Sequence, residues 1–273
     1  MNSYEKIQFD QIVEWKNEEP SVVSQVAGYV FKPVTWAVNK LIPRKAIEGA
    51  LLGCNKVAEL LTDTNDIKRD ANVSSIKDLA YKELKLSDKL ANEVHNWALA
   101  IAGAEGAAAG ATGLLGFAVD IPALITQSLR VIHKIGLCYG FECRTEQDKQ
   151  LVLGIMSAAG ANTIEEKTAS VALLQSMKVM IMRSTWKSLA AKAAQNKFGE
   201  EAAIIGIKAL AKRLGVNITK RKALQTIPVI GAGIGAAVNV AFINDVAWAA
   251  RRTFQETWLI ANKRIEECEY EDI

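Results

Sequence analysis

The sequence predicts an all-α protein, a single compact helical bundle built around two central Gly/Ala-rich helices or hairpins. Three observations lead there. Apolar residues recur with a helical period along nearly the whole chain. Period-two alternation, the mark of a half-buried strand, is nearly absent. Two long stretches are almost uncharged and dense in Gly and Ala: Trp97-ALAIAGAEGAAAGATGLLGFA-Val119 and Thr226-IPVIGAGIGAAVNVAFI-Asn244, with Glu105 the only formal charge in either. Such composition suits helix backbones that approach closely, or a hairpin that enters lipid.

The elements follow in order. Ser21–Leu41 places Val22, Val23, Val26, Val30, Val34, Val38 and Leu41 on one side, with a break at Pro33. Pro43 opens a helix carrying Ile47, Leu51, Val57 and Leu61 inward. Asp63–Val73 is polar and reads as a loop, and Ser75–Leu86 as a short amphipathic helix. Ser87 then caps a helix that runs into the first Gly/Ala stretch. Asp120-Ile121-Pro122 restarts a helix, with Asp120 as cap and Pro122 in the first turn, where its missing N–H costs nothing. That helix runs to Tyr139 and stops at Gly140. Thr145 caps Glu146–Ala159, and Thr163-IE-Glu166 is a capping box opening a helix toward Ala194. Glu200–Leu214 is helical up to Gly215, and the last helix starts after Pro228 and continues to about Glu267.

The chain of 273 residues is half hydrophobic, enough for one large core. Five prolines and no Ser- or Pro-rich spacer favour one domain over 1–273. Within it, 1–86 holds amphipathic N-terminal helices, 87–140 the first Gly-rich unit, 141–215 the middle helices, and 216–273 the second Gly-rich unit with the C-terminal helix. A net charge of +3 is too mild for nucleic acid, which calls for a concentrated basic face. It is compatible with an anionic membrane surface. The N-terminus is charged and lacks the apolar core of a signal peptide, so a cytoplasmic location with reduced thiols is expected. Cys138 and Cys143 have C-x4-C spacing and only His95 and His133 accompany them, so neither a metal nor another cofactor is expected.

Transfer energies argue against a constitutive span. In 101–119, Ile101, Leu114, Leu115, Phe117 and Val119 contribute about −2.5 kcal/mol together, and Glu105 cancels most of it. The second stretch reaches about −3 to −4 kcal/mol before Pro228, its glycines and Asn239 are counted. The expected arrangement is a central helix pair in close contact through Gly106, Gly110, Gly113, Gly116 and Gly233, with a hairpin at the lipid surface as the alternative.

Catalytic motifs are absent. Val229-Ile230-Gly231-Ala232-Gly233 has the texture of a dinucleotide fingerprint, but the strands and ribose-binding acid it needs do not follow. Gly106-AAA-Gly110 lacks the lysine of a phosphate loop. His133 reads as an ordinary helix histidine. Asp120 reads as an N-cap. Its apolar neighbours suggest burial, and a partner from the second stretch or from Arg251-Arg252, because Arg130 and Tyr139 lie about 15 Å and 28 Å along its helix. The six tryptophans (15, 36, 97, 186, 248, 258) read as core anchors, although Trp97 and Trp248 flank the two apolar stretches as an interfacial belt does. The stretches also align: Gly116-FAV-Asp120-Ile121 with Gly235-AAV-Asn239-Val240.

These residues resemble a known family. Gly113-LLGFAV-Asp120-IP-Ala123-LITQSLRVIHKIGLC-Tyr139-Gly140-Phe141 looks like the signature of the EcsC family, as does Ile227-Pro228-x2-Gly231-AGIGAAV-Asn239-x2-Phe242, with Trp36 and Ile42-Pro43 fitting its N-terminal part. The motif positions are Asp120, Pro122, Tyr139, Gly140, Pro228, Gly231, Gly235 and Asn239. The family takes its name from a bacterial gene neighbouring an ABC transporter, and the group has no established biochemical activity. The resemblance implies a mostly helical domain and supplies no catalytic residues. The expected function is non-enzymatic: peripheral association with the inner face of a membrane, or with a membrane protein such as a transporter, through the Gly-rich helices. The alternatives are a soluble module for an apolar or lipid-like ligand, and a helical enzyme using Asp120, Tyr139 and Arg130.

Overall fold

The computed structural model describes residues 1–22, 25, 63–110, 117–144, 146–190, 214, 216–218, 220 and 231–265, with the backbone alone for 107–110, 117–120, 146–147, 179–190 and 231–235. All regular structure among them is helical, as the periodicity predicts. The helices proposed over Ser21–Leu41, after Pro43 and over Glu200–Leu214 fall largely outside these residues, as do Gly113, Gly116, Thr145 and Pro228.

α1 spans Ser3–Asn17, within the 1–86 segment expected to hold amphipathic helices. A capping box opens it: Asn2 accepts from the Glu5 N–H and Glu5 accepts from the Asn2 N–H, both at 2.8 Å. α2 occupies Asn65–Ala71, where a loop was expected. Polarity misled there, because Ile67 and Ala71 form a one-turn apolar stripe that reaches the core. The chain leaves α2 through Asn72, which adopts the left-handed conformation at φ 51°.

The helix expected over Ser75–Leu86 divides in two. A 3-10 helix, Ile76–Tyr81, is opened by a Ser75/Asp78 capping box. α3 then spans Leu84–Gly110. Ser87 therefore lies inside the helix, fully buried, and does not cap it. α4 covers Phe117–Cys138. The chain is already helical at Phe117, so Pro122 lies beyond the first turn and removes one helical hydrogen bond. Gly140 ends the segment as predicted, at φ 88°. A Cβ there would lie 2.5 Å from the Ala80 nitrogen, so the close seating of the 3-10 helix also demands glycine.

α5 is Glu146–Ala159 and α6 is Ile164–Ala190. Thr163 Oγ1 accepts from the Glu166 N–H at 3.3 Å, the first half of the predicted box. Glu166 turns its carboxylate instead to the Asn162 N–H and the Asn217 amide, each at 2.9 Å. α7 runs from Gly231 to Ala261.

α3 and α7 form the most extensive helix pairing, and they run antiparallel. Asp88 meets Gln255, Asn92 meets Arg251, and Gly103 faces Val240, one step back on α7 for each step forward on α3. Carried onward, this register sets Gly110 level with Gly233. Small residues favour the approach: Ala91 and Ala102 on α3, with Ala247 and Ala250 on α7, are all buried. The central pair of Gly/Ala-rich helices is thus α3 with α7. α4 and α5 lie against α7 as well, α6 covers α5, and α1 lies across α7. One apolar core extends from Ile12 to Ile265. Its large members, Phe242, Phe254, Ile125 and Leu129, are fully buried, each contributing about 1.5–3 kcal/mol relative to exposure.

Candidate functional site

Three polar assemblies and one apolar groove are built on this frame. The first assembly centres on Asp88, one turn into α3. Its Oδ1 accepts from the Tyr139 hydroxyl at 2.5 Å and the Gln255 amide at 2.7 Å, and its Oδ2 from the Tyr4 hydroxyl at 2.7 Å. Burial and the Asp88 charge push both phenols above their ordinary range. Phe254 stacks on Tyr139 at 6.4 Å and seals the far side. Four elements are joined at one carboxylate that the protein keeps from water.

The second assembly surrounds Trp248. Arg251 and Arg252 lie over its indole at 4.4 and 4.8 Å. Arg252 donates to Gln8, Gln11 and Gln255, and Arg251 to Asn92 and the His95 Nδ1. With Nδ1 accepting, His95 carries its proton on Nε2 and gives it to Asn244 Oδ1 at 3.0 Å. Burial and then the Arg251 charge push this imidazole down to about 4. In the third assembly, Glu256 accepts from Lys16 at 2.7 Å and from Lys178. Burial opposes its charge, but the two lysines hold its carboxyl below the ordinary range.

Beside the second assembly, a cleft of about 440 Å³ opens between α1, α7 and the α5–α6 connection. Trp15 and Trp248 wall it, and it carries both signs: Glu14, Glu18 and Asp245 against Lys167 and Arg252. Its cations are engaged internally, Lys167 with the Glu18 carbonyl and the Trp15 ring.

The groove of about 330 Å³ lies between α3 and α4. Val94, Ala98 and Ile101 line it from α3, and Ala123 and Val131 from α4. Trp97 stands at it with 53 % of its surface exposed. The Arg130 guanidinium lies 5.5 Å from the Trp97 ring centroid. Lys134, on the same wall, is bonded to Asp66 at 2.5 Å.

The structure distributes the sequence-predicted residues unevenly. Tyr139 and Gly140 close α4 at the Asp88 assembly. Asn239 is buried on α7, and the backbone of Asp120 lies within α4. Pro122 is half-buried, and its carbonyl accepts from Thr126 at 2.9 Å. Gly106 and Gly110 lie in the last turns of α3 and Gly231, Gly233 and Gly235 in the first turns of α7. The Asp120 side chain falls outside the described residues. Arg251 and Arg252, proposed as its partners, donate among the described residues to Asn92, His95 and three glutamines. Tyr139 and Arg130 are not brought together: the phenol is sealed in the core and the guanidinium lines the groove. The tryptophans divide, with Trp258 in the core as expected and Trp97 outside it.

Asp88, Gln255 and the Glu256 triad were not singled out from the sequence. Their signal is the run Arg251-Arg252-Thr253-Phe254-Gln255-Glu256 inside an otherwise apolar helix, matched by Tyr4, Gln8 and Gln11 at helical spacing on α1. Among the described residues no group of three or more His, Cys, Asp or Glu gathers to hold a metal ion, and no helix is long and apolar enough to cross a membrane.

Comparison with known proteins is consistent with this frame. A curated relative, described as "Uncharacterized protein YdbA" of Bacillus subtilis (strain 168), is 22 % identical over 197 residues, covering 72 % of this chain and 66 % of the relative. The match thus spans just under two thirds of that relative's length. No solved structure matches. The family model described as "EcsC protein family" matches residues 6–259, and the chain belongs to that family.

Proposed function

We propose that this protein is a non-catalytic module that associates peripherally with an anionic membrane surface through the α3–α4 face. The observation that carries the reading is Trp97, a large aromatic half out of the protein at the edge of an apolar groove, with a guanidinium over its ring. Trp and Arg side by side are the pair that settles at the headgroup level: the indole takes the apolar boundary and the cation takes the phosphates. Both helices of the groove carry parts of the first Gly/Ala stretch, whose sequence has little side-chain bulk. The hidden tyrosines and the internally neutralised carboxylates at the polar assemblies favour a structural role for them over a catalytic one.

Co-sedimentation with vesicles of phosphatidylglycerol and phosphatidylcholine tests the reading. The protein is expected to bind the anionic vesicles at low salt and to lose binding as salt rises. Trp97→Ala is expected to weaken binding about tenfold, with its melting temperature near wild type, because the side chain contributes little to the core. Absence of wild-type binding to anionic vesicles at low salt refutes the reading.

A further inference from the structure

We propose that the α3–α4 groove takes one anionic phospholipid from the membrane, with its phosphate on Arg130 and one acyl chain lying along Val94, Ala98, Ile101 and Ala123. The proposal rests on the membrane reading above and names the ligand of that same face.

The charge pattern of the groove points to an oxyanion. Three charged groups border it besides the tryptophan: Glu105, Lys134 and Arg130. Lys134 is neutralised by Asp66. Arg130 has no ion pair with a carboxylate among the described residues, and it lies over the Trp97 ring. Its Nε is buried without a hydrogen-bond partner. A guanidinium held against an apolar surface gains from an anionic partner, and a phosphate that meets its planar fork supplies one.

The shape points to a chain. The small side chains of Ala98 and Ala123 leave the groove open, and Val94, Ile101 and Val131 give it aliphatic surface beside Trp97. Its volume of about 330 Å³ stands at the low end of ligand sites, room for one chain and not for a whole diacyl lipid. The second chain stays in the membrane, which fits a peripheral protein that grips one lipid without extracting it.

The test uses dodecyl phosphate as a monomeric probe, with native mass spectrometry for stoichiometry and Trp fluorescence for affinity. One dodecyl phosphate is expected per chain, with dodecyl maltoside and inorganic phosphate binding at least about tenfold more weakly, because each lacks one half of the recognition. Arg130→Gln is expected to weaken dodecyl phosphate about tenfold by removing the bidentate cation. Ala123→Phe, at an exposed position on the groove wall, should block the chain and leave Arg130 in place. Normal melting temperatures establish that both variants fold. Dodecyl phosphate binding that survives both substitutions overturns the proposal. So does a wild-type protein that binds anionic vesicles but not dodecyl phosphate, an outcome that leaves the membrane reading intact. Probe binding without any vesicle binding supports the groove's ligand and overturns the membrane as its source.

Discussion

Gln255 of α7 donates to the Asp88 carboxylate of α3 at 2.7 Å, and that carboxylate also holds the hydroxyls of Tyr4 and Tyr139. The chain separations are 167, 84 and 51 residues. One side chain thus closes three long loops at once. Asp88→Asn keeps the shape but replaces one acceptor oxygen with an NH2 that faces donors. A cost of about 2–4 kcal/mol in urea unfolding is expected, because buried donors are left unpaired. A loss under 0.5 kcal/mol would show that the hub is dispensable.

Glu256 lies between Lys16 and Lys178, all three nearly buried. Glu256→Gln leaves two lysines facing each other without a counter-charge, at a cost of about 3–5 kcal/mol. The triple variant Lys16→Met, Glu256→Leu, Lys178→Met is expected to recover most of that loss, since an apolar replacement carries no desolvation cost. Chemical denaturation of the single and triple variants compares the two; a triple variant no more stable than Glu256→Gln would contradict the account.

Two glycines should respond in opposite directions. A Cβ at Gly103 would sit 3.6 Å from Val240 Cγ2, ordinary van der Waals contact, in the middle of α3. Gly103→Ala is therefore expected to stabilise the protein by about 0.5–1 kcal/mol through helix propensity. At Gly140 the backbone is left-handed, and the added carbon would lie 2.5 Å from the Ala80 nitrogen. Gly140→Ala should cost at least about 1–3 kcal/mol. Thermal unfolding of both variants decides the signs.

Acid should loosen the protein before its carboxylates titrate. His95 is held down to about 4 by burial and by Arg251, and His133 to about 4 by burial, against an ordinary 6.5. Asp148 opposes the shift at His133. The unfolded chain binds these protons more readily, so the stability contributed by the neutral rings is complete above pH 6.5 and is lost as pH falls toward 4. Melting temperature is expected to decline across that window, and less steeply in His133→Gln. A flat profile between pH 6.5 and 5 would rule out both buried neutral rings.

Much of this architecture is legible in the chain alone. Helical period identified the class, Gly140 marked the end of α4, and Thr163 marked the start of α6, because these signals are local and each rests on the backbone chemistry of a few residues. Local signals failed where the deciding contact was distant. Asn65–Ala71 is polar enough for a loop and becomes a helix because Ile67 finds the core. Asp120 and Pro122 look like a helix start, yet the chain is already helical at Phe117 and α4 absorbs the proline.

The sequence by itself determined that faces exist to be buried: it carries the period, the caps and the small residues that let α3 and α7 approach. Only the tertiary structure decided which faces meet. Trp97 and Trp258 were both expected as core anchors, but one is half in solvent over a groove and the other is in the core. The polar run Arg251–Glu256 is met by α1, which brings Gln8, Gln11 and Lys16 to it. The reason is physical. Periodicity records that a side of a helix is satisfied by something other than water, whereas the identity of that partner depends on long-range geometry to which no short stretch of chain has access.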